Sequence, residues 1–148
     1  MKNIFIAGLI SIILITACVG PEEPDYGLID NFPVVVNTRD AFTFNLFAEE
    51  YNFEESYKIA LDLDSAEVIL INLIVTGFQG SSTDTSEIEL ILENNATLEL
   101  FDITENTFIV KEHINDIDNP LQTMDIFTQN YNGQVELVIT GKSVPDQE

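Results

Sequence analysis

Apolar and polar residues alternate along much of the chain after residue 40, which is typical of strands with one buried face. The runs that carry this pattern lie at residues 42–46, 57–63, 88–92, 98–101, 107–110 and 135–139. Short stretches rich in Gly, Ser, Asn and Asp separate them and favour turns. The pattern predicts an all-β protein, an antiparallel β-sandwich of about seven or eight short strands.

One run is apolar on both faces. Residues 68–75 are apolar throughout, except for Asn72. A strand that lacks alternation is covered on both sides, so we expect it to be central. One face would lie in the core, and a loop, a helix or a partner would cover the other. Leu70 and Leu73 point to opposite faces of such a strand. Substitutions at these two positions therefore test separately whether each face is covered.

The segment 120–130 departs from the alternation. Asn119 is a suitable N-cap, and Pro120 suits the first position of a helix. Four residues then follow at helical spacing: Leu121, Met124, Thr128 and Tyr131. We expect one short helix at 120–130, packed on an open end of the sandwich. A strand at 124–128 is the alternative.

The N-terminus has the three parts of a secretory signal. Lys2 supplies a positive charge, residues 4–15 are almost wholly apolar, and small residues precede Cys18. The apolar run is shorter than the ~20 residues that a membrane-spanning helix needs. A basic start, a short apolar stretch and a small-residue exit indicate a signal peptide that is removed.

Residues 14–18, Leu-Ile-Thr-Ala-Cys, resemble the lipobox of bacterial lipoproteins. The resemblance implies cleavage before Cys18 by the lipoprotein signal peptidase, and acyl chains on Cys18 that anchor the protein to a membrane. Val19 stands where an aspartate retains some of these proteins in the inner membrane, so we expect the outer membrane. The acidic residues that follow resemble those of small secreted lipoproteins of the Bacteroidota.

These features divide the chain into four parts. We expect a signal peptide at residues 1–17, a flexible tether at 18–26, the β-sandwich domain at 27–143 and a disordered tail at 144–148. The tether is polar and contains proline, which is typical of a linker. From Cys18 to Tyr26 it reaches at most about 30 Å.

The net charge of the chain limits the kinds of molecule that it can bind. The chain has 26 acidic residues against five Lys and Arg, for a formal net charge of −21. Nucleic-acid binding needs clusters of basic residues and is excluded on this ground. We expect such a charge to keep the protein soluble and monomeric; attraction to cations or to a basic partner is the alternative. A single cysteine allows no disulfide within the chain.

Four residues are candidates for binding. Tyr51 and Phe53 lie in an acidic stretch, 48–56, and are typical of aromatic recognition if that stretch is an exposed loop. Asp116 and Asp118 are spaced like the start of a calcium loop, although the glycine and glutamate of a complete EF-hand are missing. Ser65 follows Asp64 in a motif that resembles the O-glycosylation acceptor of secreted Bacteroidota proteins.

The sequence contains no group of residues that is typical of an enzyme active site. His113 is the only histidine, so the other residues needed for a zinc site or for nucleophilic catalysis are missing. We therefore expect no catalytic residues, no cofactor and a non-enzymatic module that binds a protein or glycan. The alternatives are a carbohydrate- or calcium-binding module, or a hydrolase that uses two of the many carboxylates.

Overall fold

The computed structural model describes residues 30–64, 67–80 and 85–143. These residues form seven β-strands and no helix. The strands are β1 (Val34–Asn37), β2 (Ala41–Lys58), β3 (Glu67–Thr76), β4 (Ser86–Leu92), β5 (Thr97–Asp102), β6 (Thr107–Ile114) and β7 (Leu121–Ser143). Within the same ranges, none of the structure is a helix with the length and apolar character needed to cross a membrane.

All seven strands belong to one antiparallel sheet, organised around two long strands. β2 and β7 pair with each other over nearly their whole length. The other side of β7 pairs with β4 along residues 121–128 and with β3 along 134–143. β1 adds to β2, β6 adds to β3, and β5 adds to β4. The prediction of an all-β, sandwich-like fold is confirmed, with two long strands among shorter ones.

The long pair bends back on itself, and this bend creates two layers. Phe44 and Tyr57 belong to the same strand, 13 positions apart by number, yet their ring centroids are 5.7 Å apart. A straight strand would separate them by about 40 Å. The side-chain amide of Asn37, which pairs with Phe42 near the start of β2, also donates to the Lys58 carbonyl at the end of β2, at 2.7 Å.

The two layers can therefore be named by their strands. The five-stranded layer contains β1, residues 41–48 of β2, residues 133–143 of β7, β3 and β6. The four-stranded layer contains residues 53–58 of β2, residues 121–128 of β7, β4 and β5.

Backbone irregularities at 49–52 and 129–133 produce the bend. The β2–β7 register shifts on both sides of Tyr51. Glu50, Asn130 and Gly133 have positive φ angles of 48°, 51° and 136°. Bulges with such residues increase the local twist and turn a strand.

Asparagine side chains replace the ladder hydrogen bonds that the bend removes. The Asn132 side-chain oxygen accepts from the Glu50 N–H at 3.0 Å, and the Asn52 oxygen accepts from the Asn130 N–H at the same distance. These bonds connect β2 to β7 across the irregular region. They keep these backbone donors paired where the register fails.

The core lies between the layers and is built from alternate positions of every long strand. Buried side chains from both layers form one cluster: Phe42, Phe44, Leu46, Ile69, Ile71, Leu73, Val75, Ile88, Leu90, Phe101, Ile103, Met124, Ile126, Tyr131, Val135, Leu137 and Ile139. Because successive side chains of a strand alternate in direction, the intervening residues form the two outer faces.

The predicted helix at 120–130 is wrong, and the alternative strand is correct. Residues 121–143 form the single strand β7. Buried positions are three apart at Leu121 and Met124, and again at Thr128 and Tyr131. Register shifts occur at both places, and each inserts extra residues between buried positions. Two irregularities in a strand thus imitate helical spacing.

β3 is central, as its apolar sequence predicts, because it pairs with both β6 and β7. Its two faces differ in burial. Leu73 points into the core and is 1% exposed. Leu70 points to the outer face and is half-buried. No helix among the described residues covers that second face.

Candidate functional site

The outer face of the five-stranded layer is rich in apolar side chains. Its members follow from the register, since directly opposed residues of antiparallel strands share a face. We call this surface the apolar face, and its apolar residues are Val34, Val36, Phe47, Val68, Leu70, Ile74, Phe108, Val110, Ile114 and Val138. The face crosses all five strands, from β1 at one edge to β6 at the other.

The apolar face is open to solvent, most of all along its edges. Phe108 is 66% exposed, Ile114 is 85% exposed, and Val36 at the opposite edge is 51% exposed. Single exposed apolar residues are ordinary, but a contiguous set of this kind marks a site of interaction. Nothing else in the described part of the chain packs over it.

Few charges interrupt the apolar face. Glu112 and Glu136 are its acidic residues, and Lys142 is its basic one. The Lys142 ammonium lies 2.8 Å from the Glu112 carboxylate, so these two charges neutralise each other. The face is close to neutral on a chain whose net charge is −21.

The outer face of the four-stranded layer is different. Five carboxylates lie on it, and we call it the acidic face: Glu54, Glu87, Glu89, Asp102 and Asp125. Glu87 stands directly opposite Asp102, a like-charge pair that destabilises a sheet. The two layers therefore present surfaces of opposite character.

A shallow cleft of about 540 Å³ lies on the acidic face, between Glu54, Glu87 and Asp125. One oxygen of Asp125 is buried without a hydrogen-bond partner. Among the residues that the structure describes, no group of three or more His, Cys, Asp or Glu is arranged to hold a metal ion. Chemically, this face attracts cations over a broad area.

The aromatic pair predicted for recognition does not lie on a loop. Tyr51 and Phe53 belong to β2, where their rings stack at a centroid distance of 5.5 Å. Both are half-buried and pack against the core. The prediction of an exposed aromatic loop at 48–56 is wrong, because the stretch forms the bend of a long strand. Its polar residues face solvent and its aromatic ones face inward.

His113 helps to hold the two layers together at one edge. Its Nε2 lies 2.9 Å from Oε1 of Glu99 on β5, in an orientation unsuited to a hydrogen bond. The Lys111 ammonium is 3.7 Å from the same oxygen. Glu99 belongs to the four-stranded layer, whereas Lys111 and His113 both belong to β6 of the five-stranded layer. This cluster bridges the layers, which is a structural use of the single histidine.

The calcium candidates form a turn. A side-chain oxygen of Asp116 accepts from the Asp118 N–H at 3.1 Å, and the Asp116 carbonyl accepts from the Asn119 N–H. This arrangement caps the connection between β6 and β7. Both aspartates are exposed. The structure does not bring the pair together with Tyr51 or Phe53, which lie at the bend.

Two further candidates, Cys18 and Ser65, lie outside the described residues, and so do the signal peptide, the tether and the tail. The sequence predicted only one strand of the apolar face, through the run at 68–75 that is apolar on both sides. The extent of this face depends on which residues neighbouring strands place beside β3.

No protein-family model, curated protein or solved structure matches this chain.

Proposed function

We propose that this protein is a lipid-anchored, non-enzymatic binding module of the cell envelope that docks on another protein through its apolar face. The observation that carries the proposal is the near-neutral apolar surface on a strongly acidic chain. Exposed apolar patches of more than a few hundred Å² are rare on monomeric proteins and mark interaction sites. Only two of the 26 acidic residues lie on this face, and one of them is paired with Lys142.

The distribution of charge supports a protein as the partner. The acidic face and the loops keep the domain hydrated, which leaves the apolar face as the surface that gains most from burial. Interfaces are depleted of charge at their centre and polar at their rim. The apolar face has part of this arrangement: Asn72, Val138 and Leu70 near its middle carry no charge, and acidic loops lie beyond the ends of its strands.

The anchor is the second part of the proposal. Its support is the Leu-Ile-Thr-Ala-Cys motif, from which Cys18 would carry the acyl chains and fix the protein to the outer membrane. One acyl chain gives reversible membrane binding, whereas two or more give a stable anchor. A tether of residues 18–26 would then hold the domain close to the membrane, with its faces free to reach a neighbouring protein.

Photo-crosslinking in cells tests the apolar face. A photoreactive amino acid replaces Asn72, at the centre of the apolar face, or Glu87, at the centre of the acidic face. Both positions are half-buried on central strands, so they are matched. We expect a discrete adduct of higher mass from position 72 and none from position 87. Equal adducts from both positions, or none from position 72, would contradict the proposal.

Metabolic labelling tests the anchor independently. A fatty-acid analogue should label the wild-type protein and leave Cys18→Ser unlabelled, because the sulfur that carries the diacylglycerol is gone. The variant should also accumulate as the uncleaved precursor. Equal labelling of the two proteins would show that Cys18 is not the acylated residue.

A further inference from the structure

Strand β6 has a free backbone edge beside the apolar face. It pairs with β3 along all eight of its residues, with no register shift, and with no other strand among the described residues. Its other side therefore presents unpaired N–H and C=O groups. Such an edge is a template for another strand, and proteins ordinarily protect it with short length, proline, bulges or charge.

The other edges of the two layers carry that protection. β1 has only four residues and follows Pro33. β5 has a register shift in its pairing with β4. The edge formed by the end of β2 carries Glu54 and Glu55 and begins at the bend. β6 is twice as long as β1 and combines a regular eight-residue edge with exposed apolar side chains, and its charged residues Lys111 and Glu112 are paired with Glu99 and Lys142.

From these observations we propose that the partner adds a strand to β6, as an extended segment with alternating apolar residues and basic residues at its ends. The inference rests on the proposed function and names the partner's chemistry at the same face. Strand addition obtains affinity from main-chain hydrogen bonds and specificity from alternate side chains. The apolar side chains of the added strand would lie beside Phe108, Val110 and Ile114.

Charge at the two ends of β6 defines the ends of the segment. Glu105 precedes the strand, and Asp116 and Asp118 follow it; all three are exposed. Basic residues about eight positions apart, or about 26 Å in an extended chain, would meet both ends. Lys142 already neutralises Glu112 within the strand. An apolar centre with basic ends is therefore the complementary pattern.

Two other occupants fit less well. A second copy of the chain brings a further net charge of −21, and like-charged molecules repel each other. A lipid surface offers no partners for the free N–H and C=O groups of β6, whose burial in hydrocarbon without hydrogen bonds is costly. A peptide backbone satisfies those groups and matches the side chains as well.

The test uses the full-length protein in mild detergent and a synthetic peptide. Val and Thr alternate over about eight residues of the peptide, the length of β6, with Lys at each end. We expect the peptide to slow amide hydrogen exchange in residues 107–114 and to leave residues 34–37 unchanged. No binding at millimolar peptide, or binding without protection of 107–114, overturns the inference.

Matched variants test whether the peptide binds along β6. Val110→Lys places a charge on β6, and Leu100→Lys places one on β5, an edge strand outside the apolar face, at similar exposure, 48% against 50%. We expect Val110→Lys to weaken peptide binding by at least about tenfold and Leu100→Lys to leave it unchanged. Equal weakening by the two variants, or no weakening by Val110→Lys, would mean that the peptide does not bind along β6. The strand-addition inference would then be wrong, and the proposed function would stand.

Three controls address charge and the other occupants. A peptide with Glu in place of Lys should bind at least about tenfold more weakly; equal binding refutes the basic ends. Protection of 107–114 that appears without peptide and rises with protein concentration would identify a second copy. Protection by lipid vesicles alone would identify a lipid surface. Either result overturns strand addition by a partner, whereas the crosslink from position 72 judges the proposed function separately.

Discussion

Truncating the two leucines of β3 tests whether one face of the strand is truly open. Leu73 is 1% exposed in the core between the layers. Leu73→Ala should lower the free energy of unfolding by about 2–5 kcal/mol, because transfer energy is lost and a cavity is left. Leu70 lies three residues earlier on the apolar face and is half-buried. Leu70→Ala should cost about 1 kcal/mol, since less area is lost and no closed cavity forms.

Urea unfolding of the purified protein measures both changes. With an m value of about 1–3 kcal/mol/M, the Leu73→Ala midpoint should fall by about 1 M or more, and that of Leu70→Ala by much less. The pair is its own control, because the same chemical change is made on opposite faces of one strand. Equal losses would show that the apolar face is covered within the chain. A loss under about 0.5 kcal/mol at Leu73 would refute its place in the core.

The remaining predictions concern the bend and the core beneath it. Gly133→Ala should destabilise the fold by about 1–3 kcal/mol, because Gly133 has a φ of +136° and an added Cβ would lie 3.0 Å from the Thr76 carbonyl oxygen. Gly77→Ala is its control, with a φ of +64° and no atom within 4 Å of the Cβ, and should cost less in thermal unfolding; an equal cost would contradict the steric argument. Burial raises the pKa of Tyr131 above its usual value. The folded state then holds the phenolic proton more tightly than the unfolded state, so stability should fall as pH rises above about 10. Tyr131→Phe should reduce that fall in urea melts between neutral and alkaline pH, and at neutral pH it should cost little, because the hydroxyl is buried without a partner. An unchanged alkaline fall in the variant would assign the effect to other groups.

Alternation along the chain was sufficient to predict the fold class and most of the strands. Each run with period two lies in a strand, because a strand must place its apolar side chains on one side of the sheet, except for 57–63. There the prediction is wrong beyond residue 58, because β2 ends at Lys58 and residues 59–63 are not part of a strand. The two-sided run at 68–75 became the central strand β3. These predictions need only local periodicity, which can be read directly from the sequence.

Local spacing misled wherever a strand was irregular. The helix predicted at 120–130 was an effect of two register shifts, which put three-residue gaps between buried positions of β7. Buried residues three positions apart occur both in one turn of a helix and in a bulged strand. A short stretch of sequence therefore cannot distinguish the two. Similarly, the stretch 48–56 has the composition of a loop, although it continues β2 through the bend. Only pairing with β7 decides these cases.

The candidate site depended on tertiary structure more than the fold did. The sequence by itself determined that the chain is acidic, that β3 has apolar residues on both sides, and that residues 14–18 resemble a lipobox. It did not determine that Phe108, Val138 and Val36 share one surface, because they lie on three strands that are distant in sequence. The bend of β2 and β7 decided which side of every strand faces the core. Once that side was chosen, alternation of side chains assigned the acidic residues to one outer face and left the other face apolar.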